Sequence, residues 1–407
     1  MKTTLVELAL TLGWVLSTCE NHSLAQTWTP TSAPITNWSC VASSADGSKL
    51  VAAVTNGFIY TSTNWGKIWT QSAAPSNSWT RLASSADGNQ LFAAANIFGS
   101  GLIYRSTNSG ATWEPSSSGQ AFWDCVACSA DGSKVAATHF GPSFSVSTDF
   151  GASWAILGPE VVPTFLTIGS VASSGDGGTL AVVLGVLRGP PSQLVTTPSS
   201  VWGQRNVPGP FFFGVCASIA MSADGTRVVA AINNTAEPAP MNCGGMLYSS
   251  SGSGATAVTN CTTVTNWTSV ASSADGTRLV AVASGGAIYT STDAGTNWVP
   301  ASVTNANWTS VTSSADGARL VAVANGGGIY TWQTTPTPRL NITPIGNGLL
   351  VSWLIPSMNF QLQENFDLDT TNWTDVAILP TLNFTNLQDQ LTLLPAVASR
   401  FYRLKHP

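Results

Sequence analysis

One phrase recurs seven times in this chain of 407 residues, and its spacing limits what the chain can fold into. The clearest copies read NWSCVASSADGSKLVAAV from Asn37, NWTSVASSADGTRLVAVA from Asn266 and NWTSVTSSADGARLVAVA from Asn307. The Asp of each Asp-Gly pair falls at Asp46, Asp87, Asp131, Asp176, Asp224, Asp275 and Asp316, so the steps are 41, 44, 45, 48, 51 and 41 residues. Short apolar runs and tight turns at that period are the pattern of propeller blades, each a small antiparallel sheet. The expected fold is all-β: a seven-bladed β-propeller over 26–335, then a small antiparallel β-sandwich of Ig or fibronectin type over 336–407.

The sixth repeat predicts how a blade is built. A first strand runs over 267–272, and Ala274-Asp275-Gly276 makes a hairpin turn, because Asp and Gly tolerate positive φ. A second strand covers 278–283 and a third 287–290. The octet 291–298, S-x-D-x-G-x-x-W, then turns into the fourth strand, and it recurs at 62–69, 106–113 and 147–154. Its marker residues are Asn64, Gly66 and Trp69; Asn108, Gly110 and Trp113; Asp149, Gly151 and Trp154; Asp293, Gly295 and Trp298. Their expected role is architectural: the Asp or Asn side chain bonds nearby backbone N–H groups, Gly takes a left-handed position and Trp packs as a plug. Asn in two of four copies argues against catalytic carboxylates here. The last repeat lacks a strand after Tyr330-Thr-Trp-Gln, whereas the chain before the first repeat has one at 27–32. That N-terminal strand is expected to complete the seventh blade and close the ring.

These octets resemble the Asp-box, or BNR-repeat, propellers over roughly 26–335. That group includes sialidases, xyloglucanases, sortilin-type receptors and photosystem II assembly factors. The resemblance implies the fold, because the shared motif is structural. Sialidase chemistry would use a Tyr nucleophile helped by Glu, an Asp acid/base and three converging Arg. Here Tyr60, Tyr104, Tyr248, Tyr289 and Tyr330 share one repeated slot, Tyr402 lies in the C-terminal segment, and Arg227, Arg278 and Arg319 share another slot spread around the ring. The F/Y-R-I-P element of that family is missing. Xyloglucanase-like hydrolysis would need two carboxylates across a cleft. Outside the repeat slots the propeller offers Glu114, Asp124, Glu160 and Glu237, with no recognisable pair. His139 is its only His, which leaves a His-based metal site or a Ser-His-Asp triad nothing to draw on. The expected function is non-enzymatic: a binding or scaffold protein for an extracellular glycan or protein, acting as a monomer without cofactor or metal. The alternative is a glycoside hydrolase of sialidase or xyloglucanase type.

Only 9% of residues are charged and 43% are hydrophobic, enough to build a core in a weakly charged, extracellular type of chain. With a net charge of −5 and no basic stripe, no nucleic-acid partner is expected. Lys2, an apolar run over 8–16 and Ser23-Leu24-Ala25 resemble a secretory signal peptide over 1–25, with Glu7 an imperfection in it. Leu16-Ser17-Thr18-Cys19 faintly resembles a lipoprotein box, with an atypical Thr before the Cys. No later run reaches the roughly 20 apolar residues that span a bilayer. Six cysteines follow the leader. Cys125 and Cys128 have C-x-x-C spacing, but on a strand they point to opposite faces, so they read as small buried hydrophobes rather than a metal grip. Cys243 and Cys261 are expected to form a disulfide within one irregular blade. The recurring N-x-S/T sequons, such as Asn266-Trp267-Thr268, are attributed to a turn-forming Asn.

The two stereotyped turns of each blade belong to one face of the ring. Irregularity collects on the other, at 138–144, 185–193, 233–245 and the links 158–165 and 203–213, where a rigid scaffold carries binding sites. Two inner-strand slots break pattern there. One holds Cys40, Arg81, Cys125, Ser170, Ser218, Ser269 and Ser310, and its neighbour holds Ser39, Thr80, Asp124, Gly169, Ala217, Thr268 and Thr309. Arg81 and Asp124 are the charged exceptions. With His139, Phe140, Arg188, Arg205, Phe211, Phe212 and Phe213 they are candidates for a polar and aromatic ligand surface. The competing account makes Arg81 and Asp124 a solvated ion pair, with the Phe residues filling blade interfaces.

After a stiff Thr334-Thr-Pro-Thr-Pro338 linker, short strands are expected at 340–343, 348–354, 359–363, 373–379, 390–394 and 400–405. The elements L-L-V-S-W, F-Q-L-Q-E-N, N-W-T-D-V and F-Y-R-L resemble a small C-terminal module of secreted bacterial proteins. No catalytic constellation occurs in it.

Overall fold

The computed structural model describes residues 27–407 apart from 97–100, 140–143, 158–165, 187–188, 199–213, 235–244, 252–255, 265, 335–339, 347, 356–359, 368–369, 395–399 and 406–407. The expected leader, and Cys243 of the expected disulfide, lie outside these residues. Among them there is no helix, and none long and apolar enough to cross a membrane.

Seven blades follow one another around an axis. Blade 1 is Thr36–Ser43, Leu50–Val54, Ile59–Ser62 and Thr70–Gln71. Blade 2 is Trp79–Ser84, Leu91–Ala95, Ile103–Ser106 and Glu114–Pro115, and blade 3 is Trp123–Cys128, Val135–His139, Phe144–Ser147 and Ala155–Leu157. Blade 4 has three described strands, Leu166–Ser173, Thr179–Val186 and Gly189–Pro198. Blade 5 is Gly214–Met221, Val228–Asn234, Gly245–Ser251 and Thr256–Thr262, and blade 6 is Trp267–Ser272, Leu279–Gly286, Ile288–Ser291 and Val299–Pro300. Blade 7 is Ala306–Ser313, Arg319–Gly327 and Ile329–Gln333, completed by Thr29–Pro30 from the chain's start through Thr29↔Thr331 and Pro30↔Tyr330. The ring closes as its sequence pattern requires, and Trp28 stacks near Trp332 at 6.4 Å between ring centroids. Segment 185–193, expected as irregular, is mostly ladder, because Thr179–Val186 and Gly189–Pro198 pair through to Val186↔Gly189.

The core lies between blades. Trp38, Trp79, Trp123, Trp267 and Trp308, each second in an inner-strand phrase, are fully buried. In four blades a third-strand Tyr stands edge-on to that ring: Trp38–Tyr60 and Trp79–Tyr104 at 5.3 Å, Trp267–Tyr289 and Trp308–Tyr330 at 5.2 Å. This geometry suits the aromatic quadrupole. The octet Trp residues, expected as plugs, are only half-buried, with Trp69 and Trp154 tilted against Trp38 and Trp123. The first-strand Trp takes the central place because it starts a strand buried on both sides.

Within each octet the Ser, unremarked in the motif, does half of the work. Ser62 Oγ donates to Asn64 Oδ1 at 3.0 Å and accepts the Gly66 N–H at 3.0 Å, while Asn64 Oδ1 accepts the Ile68 N–H at 2.9 Å. The 106–113, 147–154 and 291–298 octets repeat these bonds. Two successive residues are left-handed, not the Gly alone: Trp65 and Gly66, Ser109 and Gly110, Phe150 and Gly151, Ala294 and Gly295.

The Asp-Gly turns interlock. A Cβ on Gly88, at φ +68, would stand 2.8 Å from Lys49 of the previous blade; the same overlap joins Gly276 to Arg227 and Gly317 to Arg278, and a Cβ on Gly47 would come within 3.1 Å of Arg319. On this turn face a ring of backbone hydrogen bonds surrounds the axis. The amide of Ala45 donates to Ala86 at 2.8 Å, Ala86 to Ala130 at 2.6, Ala130 to Gly175 at 2.7, Gly175 to Ala223 at 2.6, Ala223 to Ala274 at 2.8, Ala274 to Ala315 at 2.8, and Ala315 back to Ala45 at 2.7.

Beyond the blades, Asn341–Ile345, Gly348–Leu354, Gln388–Leu393 and Thr381–Asn383 form one antiparallel sheet. Thr374–Asp375, Gln361–Asn365 and Phe401–Lys405 form another. Val351, Trp353, Leu391 and Leu393 of the first share a buried cluster with Leu362 of the second. The strand expected at 373–379 shrinks to Thr374–Asp375. Ile378 and Leu379 are exposed before Pro380, which has no N–H to extend a ladder.

Candidate functional site: the loop-face mouth of the channel

Five inner strands shift register just after the buried Trp, as between Trp79 and Arg81 or Trp123 and Cys125, and those of blades 4 and 5 shift after Ile168 and Cys216. One residue per blade is thus a bulge. In three blades that bulge carries a Thr hydroxyl that ties neighbouring blades together, and in blade 1 Ser39 bonds only Ala53 O of its own blade at 3.1 Å. Thr80 Oγ1 donates to Ala94 O at 3.2 Å and Trp123 O at 3.0 Å. Thr268 Oγ1 reaches Val282 O at 3.1 Å and Trp308 O at 2.8 Å, and Thr309 Oγ1 reaches Val323 O at 3.2 Å and Trp38 O at 2.9 Å. The Thr of the Asn-Trp-Thr phrase is therefore a staple between blades. That is a positive physical reason for the recurring sequon, which sequence reasoning assigned to the Asn. The next slot adds a second tie: Ser310, Ser269 and Ser218 hydroxyls accept the N–H of Val41, Val311 and Val270.

Blades 3, 4 and 5 lack the bulge hydroxyl, having Asp124, Gly169 and Ala217 instead. Asp124 is the third-blade bulge, part-buried, with Arg81 and His139 as its charged neighbours. Burial pushes its carboxyl above the usual range, and His139 and Arg81 only partly offset that rise. Arg81 does not form an ion pair with it. Ion pairs among the described residues include Arg105–Glu114 at 2.7 Å and Arg400–Glu364 at 3.0 Å. Instead Arg81 Nη2 crosses the channel and donates to the carbonyl of Ala217, the bulge of blade 5, at 3.4 Å. The solvated ion pair is thus replaced by a bar across the mouth. Its length suits the gap, since blades 2 and 5 are three apart in the ring.

His139 ends the second strand of blade 3 opposite Trp123, with its ring edge-on at 5.4 Å. It fills the aromatic partner's place that Tyr takes in other blades, because blade 3 has Phe144-Ser-Val-Ser147 as its third strand. The structure therefore brings Arg81, Asp124 and His139 together. Phe140, Arg188, Arg205, Phe211, Phe212 and Phe213 fall outside the described residues, as do Glu160 and Glu237.

The described cysteines Cys40, Cys125, Cys128 and Cys216 are free thiols. Burial pushes Cys40 up to about 11 and Cys216 to about 12, which keeps both protonated and poorly nucleophilic. Cys125 and Cys128 join different core clusters, on opposite faces of their strand. No group of three or more His, Cys, Asp or Glu placed to hold a metal occurs among the described residues. Arg227, Arg278 and Arg319 pack on successive Asp-Gly turns and do not converge. Glu114 is held by Arg105 on the outer edge of blade 2.

The fold and its axial channel define a β-propeller protein. No protein-family profile and no curated protein matches the chain. Among solved structures it is similar to YCF48 bound to D1 peptide, at 13% identity and TM-score 0.54, over 76% of this chain and 96% of that one. The hydrazine synthase of Kuenenia stuttgartiensis aligns at 13% identity and TM-score 0.59, over 76% and 98%. The GH74 enzyme of Niastella koreensis aligns at 15% and 0.55, over 81% of this chain and 59% of that one. These likenesses share a scaffold that hosts unrelated activities.

Proposed function

We propose that the chain is a secreted, monomeric binding or scaffold protein of the Asp-box propeller group, without catalytic activity, that takes an extracellular glycan or protein at the loop-face mouth. The C-terminal module reads as an Ig- or fibronectin-like sandwich. The reading rests on one observation: the polar side chains Arg81, Asp124 and His139 gather at the mouth, on the side of the ring where the bulge hydroxyls give way. Among the described residues, the groups whose charge acts on the Asp124 carboxyl are His139 and Arg81, whereas paired-carboxylate glycoside hydrolysis needs a second acid within about 5–10 Å. A neighbour of the same fold bound to D1 peptide supports a peptide-holding role, and the GH74 enzyme supports the enzymatic alternative.

A glycan array and polysaccharide pull-down, read for both retained ligand and released sugar, tests this. Binding that is lost in Arg81→Ala/Asp124→Ala supports the proposal. Released sugar overturns it in favour of a glycoside hydrolase, and so does full binding by a folded double variant for the site itself.

A further inference from the structure

Six of the seven residues in the axial ring are Ala, and the fourth blade has Gly175. Gly175 is not in the left-handed region, so its backbone conformation does not require glycine. Space does. A Cβ at Gly175 would overlap the carbonyl oxygen of Phe384, and would lie 3.2 Å from that of Ala223, its own partner in the ring, and 3.3 Å from that of Thr385. Both belong to the C-terminal module, in the turn between Thr381–Asn383 and Gln388–Leu393, where Asn383 faces Gln388. Its own side chains stiffen that turn: Asn383 Oδ1 accepts the Thr385 N–H at 2.9 Å and Asn386 Oδ1 the Gln388 N–H at 3.1 Å.

Leu387 ends the turn at φ +53, a region that a leucine adopts only when its surroundings hold it there. With Leu354 and Ile355 it packs on Ala45, Ala86, Ala223, Ala274 and Ala315, the ring itself. Its carbonyl accepts the Ile355 N–H at 3.0 Å. Next to Leu387 the channel holds a cavity of 160 Å³ whose walls include Ser43, Ser84, Cys128, Ser173, Met221 and Ser272.

We infer that the C-terminal module is a built-in cap on the turn-face mouth of the channel, with Leu387 as its stopper and Gly175 as the notch that admits the 384–387 turn. The channel is then a blind tube, and whatever enters it enters from the loop face, past Arg81. The inference goes beyond the proposed function and does not rest on it, since a propeller with any ligand or none would carry the same cap.

The test uses the full chain. Gly175→Ala gives blade 4 the residue of the other six blades, so the ring accepts it while the 384–387 turn is pushed out. Leu387→Asp places a charge in the stopper and leaves the ring untouched. Labelling of Cys128 by a bulky maleimide, mapped by mass spectrometry, and the radius of gyration from X-ray scattering report the cap. Labelling of Cys128 is expected to quicken about tenfold or more in both variants, as a local opening becomes the major state. The radius of gyration rises with it, and the circular dichroism spectrum stays that of the wild type. Wild-type labelling and scattering in folded Leu387→Asp overturns the cap, whether or not Gly175→Ala folds.

Discussion

Asp124 occupies a position where three other blades place a Thr hydroxyl that donates to two carbonyls, and an ionised carboxylate has nothing to donate. Its raised pKa follows first from burial, and the sign of the linkage is set by that rise. The unfolded carboxyl ionises near pH 4, before the folded one, so stability falls as pH climbs through the folded value and stays lower above it. Asp124→Asn should therefore melt higher than wild type at pH 7 and merge with it below about pH 3. Equal melting at pH 7 would contradict this. The opposite exchange belongs at Thr268. Thr268→Val leaves the carbonyls of Val282 and Trp308 without their donor and should cost about 1–3 kcal/mol in chemical denaturation. Arg81 and Asp124 were legible in the sequence as exceptions to a column. What the column does was not, because a bulge changes no residue type and shows only when two strands are paired.

At the scale of the element, the octet turn is an Asx device with a Ser at its centre. Hydrogen bonds from the Ser153 side chain and amide, then from Ser147, hold Asp149 well below the usual carboxylate range, at about 2. That contribution is complete above about pH 4 and is lost as pH falls through about 2. Asp149→Asn should thus melt below wild type at pH 7, with the gap closing between pH 4 and 2; a gap independent of pH would show that the carboxylate charge is irrelevant. The Asp-Gly turns make a harsher demand. Gly88→Ala meets both a left-handed φ and Lys49 of blade 1, and should lower stability by at least about 1–2 kcal/mol in a urea titration. Both motifs were plain in the sequence. The left-handed residue before each octet Gly was hidden, since Trp65, Ser109, Phe150 and Ala294 share no preference for that conformation. The bonds around them impose it.

The whole molecule was the most legible scale for the ring and the least for what lies on it. A fixed period counted the blades, and an orphan strand at the start matched a missing one at the end. Trp28 joins that closing strand to blade 7 and is buried, so Trp28→Ala should cost about 3–5 kcal/mol and lower the melting temperature of the whole ring. A local change with no shift in the main transition would mean that the closing strand is dispensable. The cap escaped notice for a different reason. Its turn is an ordinary polar hairpin with one Leu, and its counterpart is a single methyl group absent from one of seven aligned turns.

The seven amides around the axis form a circuit with no first or last member. An open stack of repeats can fray one unit at a time from either end. Here every residue of the circuit both gives and receives, so losing any blade interrupts two bonds. The last of the seven, from Ala315 to Ala45, joins the two ends of the repeat array. Such a circuit works as a tally. It is satisfied only at the full complement of blades and signals any shortfall as an unpaired amide, so a partly assembled chain always carries an open end until the final blade arrives.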